Sequence, residues 1–192
     1  MSTAQANEFA SIVTPYQLWL AGKGPRAKPM YTYIASSWRN PLQTDVVASL
    51  KSRGLDVYDF RNPGSGNNGF SWREIHPDWQ RWTSAQWREA LSHPIARAGF
   101  RLDKAALDRA DCVVLVLPAG RSAHLEAAYA AGLGKPVVTL ALEPVEPELM
   151  NLLLGGPDHI CITMGELFER LGLGYGPDTR VYDMLDPLRH AE

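Results

Sequence analysis

Five apolar runs of strand length punctuate the chain, and segments with helical spacing of apolar residues lie between them. MYTYIA at 30–35 is the first run. A helix is predicted over about residues 41–53, with Leu42, Val46, Val47 and Leu50 on one face and Gly54 as its stop. LDVYDF at 55–60 reads as the second strand, and β-α-β in this order implies a parallel pair joined by a crossover helix. After an irregular stretch the alternation resumes. A helix at about 102–109, strand CVVLVL at 112–117, a helix at about 122–133 and strand PVVTLAL at 136–142 follow one another. A helix near 147–154, strand HICIT at 159–163 and a helix at about 165–171 complete the pattern. The predicted fold class is α/β: a doubly wound, flavodoxin-like five-stranded parallel sheet with a Trp-rich helical insertion.

The insertion is the break at about 61–100. RNPGSGNNG opens it as a Gly/Asn loop, and Phe70, Trp72, Trp79, Trp82, Trp87 and Phe100 follow. Four of the six tryptophans fall between 72 and 87, a concentration open to two readings. The rings bury against the core or at a subunit interface, or they form a lid or wall that stacks on a planar ligand such as a nucleobase. Residues 1–29 read as an N-terminal extension with an apolar patch, 30–175 as the α/β domain, and 176–192 as a C-terminal tail.

Composition narrows the function classes. The 192 residues are 45% hydrophobic, enough for one good core, and the net charge of −2 supplies no basic field for a nucleic-acid polymer. Cys112 and Cys161 each sit inside an apolar run and are expected as core thiols. The five histidines show no metal-ligand spacing, so neither metal nor cofactor is expected. No signal peptide or spanning segment is apparent, which predicts a cytoplasmic protein without a membrane partner.

The chemistry concentrates in DCVVLVLPAGRSAHLEAAYAAGLGKP, residues 111–136, where an apolar strand enters a small-residue turn and an Ala-rich helix carrying one acid, Glu126. A helical Glu is usually solvated; one among Ala123, Leu125, Ala127, Ala128, Tyr129 and Ala130 either faces a cleft or is poorly placed. Ligands in parallel sheets bind beyond the carboxyl ends of the strands. That rim would gather Ser36, Ser37, Trp38, Arg39 and Asn40, then Asp59 and Arg61, then the turn from Pro118 to Glu126. Such serines, arginines and helix-start amides suit a phosphate or sugar hydroxyl, and SSWRN is equally an ordinary turn with a capping Ser or Asn.

YIASSWRN at 33–40, the eight-residue separation of Asp103 from Asp111, and SAHLEAAYAAGLGKPVV together resemble the nucleoside 2-deoxyribosyltransferase superfamily, including its deoxynucleoside-monophosphate N-glycosidase branch. The resemblance covers roughly 30–163. It implies Glu126 as nucleophile, Asp103 as acid/base, and Tyr33 as the site tyrosine that orients Glu126 and keeps its carboxylate ionised. It also implies a small nucleoside or nucleotide substrate and a homo-oligomer, a dimer or higher. Transferases of the family usually carry a second acid about six residues before the nucleophile. Gly120 stands there, followed by Arg121 and Ser122, which favours hydrolysis of an anionic substrate held by those residues. With an oxocarbenium-like state at C1′, one carboxylate would stabilise or capture the cation while an acid protonates the leaving nitrogen. Ser36, Ser37, Arg39, Asn40 and Asp59 join the expected substrate contacts.

Two alternatives stay open. PAGRSAHLE keeps the Pro-to-Glu separation of the PGGxGTxxE turn of lysine-decarboxylase-like phosphoribohydrolases, without its second Gly and Thr. A non-catalytic nucleotide-sensing or interaction module is the other.

Overall fold

The computed structural model describes residues 30–64 and 66–173; the expected N-terminal extension and C-terminal tail lie outside them. β1 (Tyr31–Ala35), β2 (Asp56–Asp59), β3 (Cys112–Val116), β4 (Val137–Leu140) and β5 (Ile160–Cys161) form one all-parallel sheet in the order β2-β1-β3-β4-β5. This is the flavodoxin-like order, and its direction reverses between β1 and β3.

Strand alternation sorts side chains into two cores. Ile34, Val114, Val116, Val138 and Leu140 face one side and meet α1 (Gln43–Ser52) and α5 (Met164–Arg170) through Val46, Val47, Leu50, Leu167 and Phe168. Tyr31, Tyr33, Tyr58, Val113 and Leu115 face the other, covered by α3 (Pro94–Arg109) and α4 (Arg121–Gly132). The second layer touches the sheet with small residues: Ala106 and Leu107 from α3, and Ala123, Ala127 and Ala130 from α4. Short side chains bring both helix axes close to the strands, within reach of the tyrosines.

The helix expected at 102–109 begins earlier, at Pro94. His93 caps it by accepting from the Ile95 amide, and Pro94 occupies the first turn, where its missing N–H costs nothing. Its far end is fastened by Lys135, whose ammonium donates to the carbonyls of Leu107, Asp108 and Ala110, three acceptors at a helix C-terminus.

The inserted segment is less helical than expected. It holds 3-10 turns at Trp72–Glu74 and Trp79–Arg81 and the short α2 (Ser84–Ala90). Burial of its tryptophans in the domain's own core is not found: Trp72, Trp79 and Trp82 are half-buried and Trp87 is 55% exposed. The alanine faces of α3 and α4 already close that side of the sheet. The helix expected near 147–154 is a 3-10 segment, Leu149–Leu154, in which only Leu154 is buried. With one core contact there is no apolar stripe to sustain a regular helix. Strand β5 is cut to two residues, since Thr163 already caps α5. Both cysteines are free and buried; Cys112 Sγ lies 3.5 Å from Thr32 Oγ1, and burial pushes the Cys161 thiol up to about 11.

Candidate active site

Beside the point where the strand order reverses, the neighbouring strands β1 and β2 bring two tyrosines into register. Tyr33 lies opposite Tyr58, and their rings stack with centroids 5.2 Å apart and planes 16° from parallel. The Tyr58 hydroxyl donates to Asp103 Oδ1 at 2.7 Å. Asp103 rides on α3 and Glu126 on α4, and both carboxyl groups line one cavity of about 410 Å³ with Tyr33 at its floor. Phe70, Trp72, Leu91 and Phe100 form an aromatic and aliphatic wall, and Arg97, Lys104 and Ser122 add polar groups. Phe70 meets Trp72 edge to face at 4.8 Å, and Trp72 meets Trp82 likewise at 5.6 Å. The wall seats on α3 at Gly99, where a Cβ would come within 2.8 Å of Phe70.

Burial dominates the electrostatics. The Glu126 carboxyl is pushed up to about 8, first by desolvation and second by the charge of Asp103; the Tyr33 hydroxyl opposes both. Asp103 is raised above the ordinary carboxylate range by burial, with the Tyr58 hydrogen bond opposing. Desolvation also raises both phenols, so they stay neutral donors. The expectation that Tyr33 keeps Glu126 ionised is therefore corrected. Tyr33 does favour the carboxylate, but its buried hydroxyl closes no hydrogen bond of full geometry, and burial outweighs it. Burial thus raises both acids of one cavity above the ordinary carboxylate range, the kind of shift that acid–base chemistry uses.

Of the other expected contacts, only Ser122 lines this cavity. Arg121 is exposed, and the Gly120 carbonyl receives the Nδ1 proton of His124. The rim residues hold one another. Asn40, buried, donates to Ser36 Oγ and to the Val116 carbonyl and accepts from the Leu42 amide. Ser36 Oγ donates to the same Val116 carbonyl, and Ser37 Oγ accepts from the amide of exposed Arg39. Asp59 accepts from Gln43, from the Arg61 amide and from Asn62. The Arg61 guanidinium donates to the carbonyls of Ser37, Trp38 and Asn40. Asp111 Oδ2 accepts from the Tyr31 amide at 2.8 Å and so pins β3 to β1.

Arg97 and Lys104, which line the cavity, and Tyr58, which bonds to Asp103, were not expected from the sequence. Tyr58 did leave a trace: it is the fourth residue of LDVYDF as Tyr33 is of MYTYIA, and adjacent parallel strands bring equal positions together. Among the described residues no group of three or more His, Cys, Asp or Glu could hold a metal ion, and no helix is long and apolar enough to cross a membrane.

No protein-family model matches the chain, and no curated protein matches it in sequence. Among solved structures, it is similar to a 2-deoxyribosyltransferase from the psychrotolerant bacterium Bacillus psychrosaccharolyticus, with 22% identity and a TM-score of 0.38 over 62% of this chain and 78% of that one. A likeness of that size is too slight to assign the site's chemistry.

Proposed function

We propose that the protein cleaves the N-glycosidic bond of a nucleoside or nucleoside 5′-monophosphate. The observation that carries this reading is the pair of desolvated carboxyl groups, Glu126 and Asp103, lining one cavity beside an aromatic wall. Glu126 attacks C1′ as the C1′–N bond breaks, the bond's electron pair leaves with the base, and Asp103 delivers a proton to the departing nitrogen. Water, activated by Asp103, then releases the sugar; a second base in its place gives glycosyl transfer. Phe70, Trp72 and Phe100 supply the surface on which a base can stack. Ser122 and Arg97 are the polar groups placed for the sugar or its phosphate.

Glu126 must lose its proton before it can attack. Its high pKa favours a second reading, in which Glu126 donates the proton and Asp103 is the nucleophile. Both readings need both acids. The test is incubation with a mixed nucleoside and nucleotide panel, products identified by mass, for wild type, Glu126→Gln and Asp103→Asn. Free base from wild type and little or none from either variant is the expected result. Release confined to ribose 5′-monophosphates would favour a phosphoribohydrolase, and binding without any release a nucleotide-sensing module. We further infer a homo-oligomer, because Leu125, Tyr129 and Leu133 form an exposed apolar face on α4 beside exposed Leu149, Leu152 and Leu153.

A further inference from the structure

We propose that Tyr58 is a positioning residue of this site, holding Asp103 by one carboxyl oxygen so that the other is presented to the leaving base. The inference rests on the N-glycosidase reading for its consequence and on geometry for its substance.

Tyr58 comes from β2, outside the segments that carry the carboxyl groups, and is 6% exposed. Its place is fixed twice, by parallel pairing with Tyr33 and by stacking on the Tyr33 ring. From that fixed ring the hydroxyl reaches Asp103 Oδ1 at 2.7 Å, a bond linking residues 45 apart in sequence. Among the described residues, Oδ1 is the only Asp103 oxygen with a hydrogen-bond donor, so Oδ2 is left to meet a ligand on the cavity side. An aspartate in mid-helix otherwise turns about its side-chain bonds; one short bond from a rigid donor removes that freedom. The two tyrosines thus divide the work. Tyr33 faces Glu126, Tyr58 grips Asp103, and the stack sets the spacing of the two hydroxyls.

The test is Tyr58→Phe, which keeps the ring and its stack while deleting the hydroxyl, combined with Asp103→Asn and the double variant. Loss of a bond to a charged oxygen is expected to raise the Asp103 titration, followed by carboxyl NMR with ¹³C-labelled aspartate and assigned from Asp103→Asn. Base release from ordinary nucleosides should fall on the order of tenfold. Release from N7-methylated purine nucleosides, whose base departs without a proton, should change little. In the Asp103→Asn background, Tyr58→Phe should add no further loss. An unmoved Asp103 titration, equal losses on both substrate types, or a full additional loss in the double variant would each overturn the proposal. If wild type releases base from nothing on the panel, the N-glycosidase reading fails, and the NMR titration alone decides whether Tyr58 holds Asp103.

Discussion

The rim at the ends of β1 and β2 and the cavity beneath α3 and α4 are both rich in polar side chains, yet they differ in where those groups bond. On the rim, Ser36, Asn40, Asp59 and Arg61 bond to one another and to backbone carbonyls. In the cavity, Tyr33 Oη is buried without a full partner, and both acids are desolvated against their preference. Polar groups that satisfy each other hold a loop. Arg61 Nε and Gln43 Oε1 are also buried without a partner, so what sets the cavity apart is its pair of desolvated carboxyl groups, and such groups are candidates to meet a ligand.

Replacing Glu126 by Gln should break this contrast most sharply. Base release should drop by a factor on the order of a thousand, measured as initial rate of free base, while the fold is spared. Stability gives an independent sign. Because the folded pKa of Glu126 stands near 8, above its ordinary 4.5, its contribution is fully present below about 4.5 and is lost as pH rises to about 8. Glu126→Gln should therefore flatten that part of the stability–pH curve in denaturant titrations; an unchanged curve would mean the carboxyl is not desolvated. Next in size is the wild-type pH–rate profile. With Glu126 as nucleophile, kcat/KM should rise about tenfold per pH unit towards a limb near 8. A profile that falls through 8 instead would make Glu126 the proton donor.

The rim should answer differently. Asn40→Ala strands the Leu42 amide and leaves the Val116 carbonyl with Ser36 Oγ in place of two side-chain donors, and should lower stability by about 1–3 kcal/mol in chemical unfolding. Activity per folded molecule should stay near wild type; a selective rise in KM with intact stability would return the rim to the binding site. Smallest is Gly99→Ala, which pushes Phe70 off α3. It should change KM among bases by about twofold to fivefold with kcat nearly constant, as expected for displacing a stacking wall.

The sheet was readable because each strand is a near-continuous apolar run, and the connections between them leave few topologies. Glu126 drew notice as a lone acid in an alanine helix, and Asp103 only through a family resemblance in its spacing from Asp111; both line the cavity. Asn40 was ambiguous in sequence because its decisive acceptor, the Val116 carbonyl, lies 76 residues away. Tyr58 was missed because pairing register is a tertiary fact. The start of α3 was hidden by Pro94 and Gly99, residues that argue against a helix interior until the His93 cap and the close approach of Phe70 explain them.

Lys135 has a mechanical consequence. It follows α4 and grips the last carbonyls of α3, so the helices bearing the two acids share an anchored end. A tilt of α3 against α4 would pivot there. Measured along α3 from Asp108, Asp103 stands about 7.5 Å from the pivot and Phe100 about 12 Å. A given tilt would therefore sweep the aromatic wall about one and a half times as far as the acid, so that on the proposed function a bulky base is admitted with a smaller change in the separation of the carboxyl groups.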